Sequence, residues 1–250
     1  MSDNRFMRTK ALLGDESFSH LKNSSVMIVG LGAVGGYTLE ALARAGVGKL
    51  ILVDFDKVEE TNINRQILAL ESTLGQSKAE VAAQRVRDIN PDCQVVIKEL
   101  FVNNETLPAL LEEKTDFVID AIDSLNPKCG LMEMLVNKKM PFISSMGAAL
   151  KTDASCIKLQ PLHKTSNCHL ARFIRKRLKR RGVDISKIMC VSSDEQINIP
   201  DTALFINEDE LPADNTRVRH TMGSLPTITA IFGLIIANAT ILYLSKLKKF

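Results

Sequence analysis

Val26-Met27-Ile28-Val29-Gly30-Leu31-Gly32-Ala33-Val34-Gly35 runs from a β-rich apolar segment directly into a glycine-rich turn. Leu39, Leu42, Ala43 and Val47 follow at helical spacing, and Leu50-Ile51-Leu52-Val53 then makes a second strand ending on Asp54. Glycines between a strand and a helix let backbone N–H groups approach a phosphate at the positive end of the helix. An acid about 20 residues further on suits a pair of ribose hydroxyls. A lone GxGxxG is a weak signal, but strand, turn, helix, strand and acid fall here in one order. Gly30, Gly32, Gly35 and Asp54 are therefore expected to bind a nucleotide.

The residues beyond Asp54 narrow the nucleotide. Asp54-Phe55-Asp56 is followed by Asn62-Ile63-Asn64-Arg65-Gln66, by Gly75-Gln76-Ser77-Lys78 and by Ile119-Asp120-Ala121-Ile122-Asp123-Ser124. A dinucleotide dehydrogenase needs no fixed cations past its second strand. An arginine and a lysine brought to the turn would neutralise a triphosphate, and an aspartate at a strand end can hold Mg2+. From Arg5 to about Gly147 this set resembles the ubiquitin-activating-like adenylyltransferases, the ThiF/MoeB superfamily. The resemblance implies an ATP site built from Gly30, Gly32, Gly35, Asp54, Asp56, Asn62, Arg65, Gln66, Lys78 and Asp123. It places Arg65 and Lys78 beside the triphosphate and makes Asp123 the Mg2+ and transition-state carboxylate, with Asp120 structural. It also implies a homodimer in which Arg8 reaches the partner's phosphates, an arginine supplied in trans as pyrophosphate leaves. The simpler reading of Arg8 is a solvated residue near the chain terminus.

Length and composition set the frame. The 250 residues suit one domain, divided here into a helical lead-in over 1–22, a nucleotide-binding core over 23–150 and closing elements over 151–250. A hydrophobic content of 45% with 24% charged residues is that of an ordinary soluble protein, and the net charge of +3 is mild. The start of the chain carries no apolar signal segment, and a cytoplasmic location is expected. Five cysteines (93, 129, 156, 168 and 190) contain no CxxC pair, which fits reduced thiols better than disulfides or a zinc site.

Spacing along the chain predicts a helix over 77–90, stopped by Asn90-Pro91, a strand over 94–101, a helix over 104–112 and a strand over 117–122. A helix over 126–138 and a strand over 141–145 follow. Strands alternating with helices predict a doubly wound, mainly parallel α/β sheet with a Rossmann-like nucleotide site and a less regular C-terminal part. There, a strand is expected over 154–162, a helix capped by Ser166-Asn167 and running through Arg181, and a short strand over 188–192. Loops are expected around Pro200, Glu208-Asp209-Glu210 and Pro212.

The helix near 166–181 carries Arg172, Arg175, Lys176, Arg177, Lys179, Arg180 and Arg181, with Leu170, Phe173, Ile174 and Leu178 as its inward stripe. A charge run is usually a solvated face. This one has almost no interleaved acids for i,i+4 pairs, and such a cation field suits an RNA backbone. No cysteine stands out as a nucleophile, although Cys168 near a helix start has a setting that can lower a thiol pKa.

Arg5-Phe6-Met7-Arg8-Thr9, Thr61 to Gln66, Ile119 to Ser124, Gly223-Ser224-Leu225-Pro226 and Phe232-Gly233 resemble the tRNA threonylcarbamoyladenosine dehydratases over nearly the whole chain. That resemblance implies ATP-dependent adenylation of the threonyl carboxylate on the adenosine next to the anticodon of tRNA, then cyclisation with loss of AMP. The alternative within the superfamily is adenylation of the C-terminus of a ubiquitin-like or sulfur-carrier protein. A monovalent cation and association with sulfur-relay proteins stay open, and DNA is not an expected partner. The charge-free stretch from Thr221 to Ser245 has two readings, a bilayer span or a buried helix; the second is expected.

Overall fold

The computed structural model describes residues 3–197, 204–206 and 220–248. The loops expected around Pro200, Glu208-Asp209-Glu210 and Pro212 lie outside the described residues. The lead-in is two helices, α1 (Met7–Leu13) and α2 (Asp15–Lys22), where the sequence suggested one amphipathic segment. Gly14 divides them because its φ of 83° is outside the helical region. Its C=O accepts from the Phe18 N–H, and Asp15 and Glu16 favour the positive start of α2.

The nucleotide-binding core follows as β1 (Ser25–Val29), α3 (Ala33–Ala45), β2 (Lys49–Val53), α4 (Lys78–Ile89), β3 (Gln94–Lys98), α5 (Leu107–Leu110), β4 (Phe117–Asp120), α6 (Leu125–Asn137) and β5 (Phe142–Ser145). β6 (Ile157–Pro161), α7 (His169–Arg180) and β7 (Met189–Ser193) extend it. β8 (Leu204–Ile206) and β9 (His220–Met222) form a separate antiparallel pair, and α8 (Pro226–Leu244) closes the fold. The main sheet has the order β3-β2-β1-β4-β5-β7-β6, parallel throughout except for the antiparallel edge strand β6. The doubly wound, mainly parallel expectation is therefore met.

Strand residues alternate between two apolar layers, as a period of two requires. Val26, Ile28, Leu50, Leu52, Phe117 and Ile119 face Leu39, Leu42, Val86, Phe232 and Ile236 of α3, α4 and α8. Met27, Val29, Ile51, Val53 and Val118 face the other way, against Leu107, Leu110, Leu131 and Leu135 of α5 and α6. A third cluster joins Ile174 and Leu178 of α7 to Met132 of α6 and Cys190 of β7.

α8 is long and apolar enough to cross a bilayer by length and composition, but half of its most apolar window is buried in this fold. It lies across α3 so closely that a Cβ on Gly233 would meet the Val34 carbonyl oxygen at 2.5 Å. Thr38 Oγ1 donates to the Gly233 carbonyl at 3.1 Å, tying the two helices together.

Several expected boundaries move for local reasons. The helix expected over 104–112 is the single turn α5. Residues 104–106 form a turn ahead of it, in which Asn103 Oδ1 accepts from the N–H groups of Glu105 and Thr106, as a helix cap does, and Thr106 Oγ1 donates to the Phe101 carbonyl. α7 is capped by Cys168, whose Sγ accepts from the Ala171 N–H, and not by Ser166-Asn167. Asn167 instead adopts a left-handed φ of 47°. Its inward face is Ala171, Ile174 and Leu178, with Phe173 exposed.

Candidate nucleotide site at the switch point of the sheet

Strand order reverses direction between β1 and β4, and the loops leaving the C-terminal ends of these neighbours meet there, the usual ligand crevice of an open α/β sheet. Gly30 leaves β1 with φ 94°, a conformation that favours glycine. A Cβ on it would stand 2.8 Å from the Ala121 carbonyl oxygen, so the two loops touch through backbone. At Gly35 a Cβ would fall 1.8 Å from the Gly30 carbonyl oxygen, which requires a bare backbone for α3 to pack on its own turn. Gly32 differs. Among the described residues, apart from its chain neighbours, the only atom within 4 Å of its Cβ position is Gln66 Nε2, at 3.9 Å, so the face of the turn is an open concavity. Gly32 caps α3 without any side-chain hydrogen bond, leaving the first-turn N–H groups of the helix directed at that concavity. The arrangement fits a phosphate, and a side chain at position 32 would occupy its space.

Asp54 is buried at the end of β2. Its Oδ2 accepts from the Leu31 N–H at 2.6 Å and its Oδ1 from the Asp56 N–H at 2.8 Å. Burial pushes the Asp54 carboxyl above its ordinary value, and these two N–H groups oppose the shift. Asp54 thus shapes the glycine turn and keeps lone pairs able to accept further hydrogen bonds. One step further, Lys78 Nζ lies 2.8 Å from Asp56 Oδ2, and the Lys78 backbone N–H donates to the Asp56 carbonyl. Lys78 opens α4 behind the Ser77 cap, within the helix expected over 77–90.

Asp123 lies two residues beyond Ala121, whose carbonyl touches Gly30, and is exposed, with Ser124 Oγ donating to its Oδ1 at 3.2 Å. Among the described residues no three His, Cys, Asp or Glu side chains gather to hold a metal by themselves. Mg2+ commonly uses one or two carboxylates together with substrate phosphates, a mode that Asp123 beside the glycine turn fits.

The remaining predicted residues divide. Gln66 is buried with its amide over Gly32. Asn62 is buried too, but its Oδ1 accepts from the Glu59 N–H and so braces its own turn. Arg65 is half-buried and folded back, donating to the Thr61 carbonyl at 2.7 Å and to Asn64 Oδ1 at 2.8 Å. Arg8 is exposed on α1 and makes no hydrogen bond or ion pair among the described residues.

The sequence reading missed two features. Lys128 is fully buried in an ion pair with Asp120, which is buried as well. Phe55 and Phe101, both about half exposed, meet edge to face with centroids 4.8 Å apart just beyond the ends of β2 and β3. Lys128 was detectable as a cation among the apolar positions of a helix. The ring pair had no local signal because 46 residues separate its members.

On α7 the cations are not one free face, a correction to the expected field. Arg175 donates to the Thr165 carbonyl and hydroxyl, Arg177 to Asn126 Oδ1, and Arg181 pairs with Glu133 of α6 at 2.6 Å. Arg172, Lys176, Lys179 and Arg180 remain exposed without ion pairs among the described residues, and Arg172 stacks on Phe173. The five cysteines are free thiols. Burial pushes Cys190 up to about 12 and Cys93 up to about 11, away from nucleophilic character.

The profile of the ThiF family matches residues 4–250. A tRNA threonylcarbamoyladenosine dehydratase of Bacillus subtilis is 36% identical over 97% of this chain and 95% of its own length. The crystal structure of the Escherichia coli tRNA N6-threonylcarbamoyladenosine dehydratase in complex with ATP superimposes with a TM-score of 0.86 at 32% identity, covering 98% of this chain and 96% of that one. An adenylyltransferase and sulfurtransferase of Drosophila ananassae is 39% identical, but over only 53% of this chain and 29% of its own. The chain belongs to the ThiF family, and within it resembles the tRNA threonylcarbamoyladenosine dehydratases from end to end.

Proposed function

We propose that this protein uses ATP to cyclise threonylcarbamoyladenosine next to the anticodon of tRNA. The single observation that carries the reading is the switch-point crevice, where an open glycine turn meets the loop bearing Asp123, in a chain that matches dehydratase relatives over its whole length. The threonyl carboxylate attacks the α-phosphorus of ATP and pyrophosphate departs. An intramolecular attack on the acyl carbon then closes the ring and expels AMP, a net loss of water. Because attack is intramolecular, no protein thiol is required.

The protein's share of the work is positioning and charge neutralisation. The first-turn N–H groups of α3 and Lys78 take the phosphates, Arg65 swings from Thr61 and Asn64 to join them, and Asp54 takes the ribose. Asp56 keeps Lys78 aimed, Asn62 and Gln66 brace the floor, and Asp123 is the carboxylate that would hold Mg2+, which would supply positive charge to the reacting phosphates. Phe55 and Phe101 offer an aromatic surface beside the ribose end.

Arg8 acts in a homodimer, completing the partner's site. Exposed Met7 and Leu12 on α1 and Leu234 on α8 supply apolar surface for such an interface. The exposed cations of α7 take the tRNA backbone. Adenylation of a carrier protein is the weaker reading, since the sulfurtransferase-type relative is matched only in part. The test is mass spectrometry of nucleosides from threonylcarbamoylated tRNA incubated with the protein, ATP and Mg2+. A nucleoside lighter by one water supports the proposal; unchanged tRNA with carrier-dependent ATP–pyrophosphate exchange favours the alternative.

A further inference from the structure

Lys128 and Asp120 are both completely buried, so neither touches a substrate. Lys128 sits one turn inside α6 and its side chain turns back toward the start of the helix, the natural direction for a helical residue. There its Nζ lies 2.9 Å from Asp120 Oδ2, 2.8 Å from the Ile122 carbonyl oxygen and 3.4 Å from the Asp120 carbonyl oxygen. Asp120 in turn accepts from Ser144 Oγ of the neighbouring strand at 2.7 Å and from the Ile122 N–H at 3.2 Å. Both main-chain polar groups of Ile122 are therefore held by this pair. The held carbonyl belongs to the peptide bond that joins Ile122 to Asp123. On the other side the same loop is fixed by the Ala121 N–H donating to the Val29 carbonyl and by the contact of Gly30 with the Ala121 carbonyl.

A buried ion pair is a weak source of stability, and apolar residues of similar volume often serve the fold as well. An apolar side chain cannot, however, bind two carbonyl oxygens. We propose that Lys128, with Asp120 and Ser144, is a positioning residue that sets the peptide carrying Asp123 against the glycine turn. The proposal rests on the reading of Asp123 as the carboxylate that acts in adenylation. Small misplacements of a reacting group are enough to slow an enzyme, about a hundredfold for 1 Å.

The test is the paired replacement Asp120→Asn with Lys128→Met, which removes both charges and leaves neither buried alone. The expected protein unfolds cooperatively and binds ATP as the wild type does. Amide hydrogen exchange over 121–125 is faster, and kcat for AMP release falls by ~10²-fold at unchanged KM for tRNA. Placed in an Asp123→Ala background, the pair adds no further loss, because it acts through that residue. A folded paired variant with wild-type exchange or wild-type kcat overturns the proposal, as does a full additional loss without Asp123. If the pair fails to fold, Ser144→Ala removes one bond to Asp120 and is expected to move exchange and kcat in the same direction by less; no change in either is the overturning result. Hydrogen exchange needs no tRNA, so a wild-type protein inactive on tRNA defeats the dehydratase reading without touching this one.

Discussion

Lys78 Nζ lies 2.8 Å from Asp56 Oδ2 while its own side chain is only 7% exposed, so the charge proposed for the triphosphate is held in place by a carboxylate. Lys78→Ala removes a contact that grows as charge develops on the leaving phosphates, and kcat should fall by ~10²–10³-fold with the fold intact. Arg65→Ala should show the same pattern, with AMP release and circular dichroism as the paired measurements. Normal turnover in either variant would remove that residue from the site.

The glycines of the turn should separate binding from stability. Gly35→Ala puts a Cβ 1.8 Å from the Gly30 carbonyl oxygen, so the backbone must shift and Tm should drop. Among the described residues, apart from its chain neighbours, Gly32→Ala meets nothing closer than the Gln66 amide at 3.9 Å, so Tm should stay near wild type while ATP affinity falls. Calorimetric ATP titration beside thermal unfolding checks both. A Gly32→Ala protein that binds ATP normally would show that the phosphates lie elsewhere.

The strands and the turn were legible because their signals are local. Val26 to Val29 and Leu50 to Val53 are continuous apolar runs, and both are buried throughout as inner parallel strands should be. What escaped depends on contacts distant in sequence. Arg175, Arg177 and Arg181 found Thr165, Asn126 and Glu133. None of these partners follows from helical periodicity. Lys128 stood out as a cation among apolar helix positions, but its role depends on three oxygen partners that only the fold brings to it.

Arg8 is exposed on a helix with no buried residue of its own, a geometry suited to reaching a neighbouring subunit. Arg8→Ala and Asp123→Ala proteins should each be nearly inactive, yet a mixture that exchanges subunits should regain activity through heterodimers with one complete site. Heterodimers demonstrated by mass spectrometry but without activity would refute the assignment in trans.

tRNA binding should depend on the free cations of α7 and not on the bound ones. Lys176, Lys179 and Arg180 share one exposed side of the helix. Replacing all three with glutamate should abolish tRNA binding while leaving ATP affinity unchanged. Wild-type tRNA affinity should fall steeply with salt, with a log–log slope of roughly −0.7 to −0.9 per phosphate contact. Arg181→Ala, which breaks the Glu133 pair, should lower Tm slightly, because an exposed pair of this kind contributes about 0–1 kcal/mol. Unchanged tRNA affinity in the triple variant would return these charges to an ordinary solvated face.

α8 gives the sharpest contrast between composition and structure. Its 19 residues contain no charge, yet Ile228, Phe232, Ile236 and Ala237 are buried against the sheet and α3. Its two buried threonines have internal partners: Thr240 Oγ1 donates to the Ile236 carbonyl and Thr229 Oγ1 to the Pro226 carbonyl. A bilayer span would have to abandon this face and leave the β1, β2 and β4 side chains of that layer in water. Full-length protein should therefore be recovered without detergent, and a chain ending before Leu225 should aggregate. Gly233→Leu forces a side chain onto the Val34 carbonyl and should destabilise by about 1–3 kcal/mol in chemical unfolding, as overpacking does. A membrane helix would tolerate that replacement, since leucine is as apolar as the lipid around it. Recovery of the full chain only in washed membranes, with the truncated form soluble and active, would overturn the buried placement.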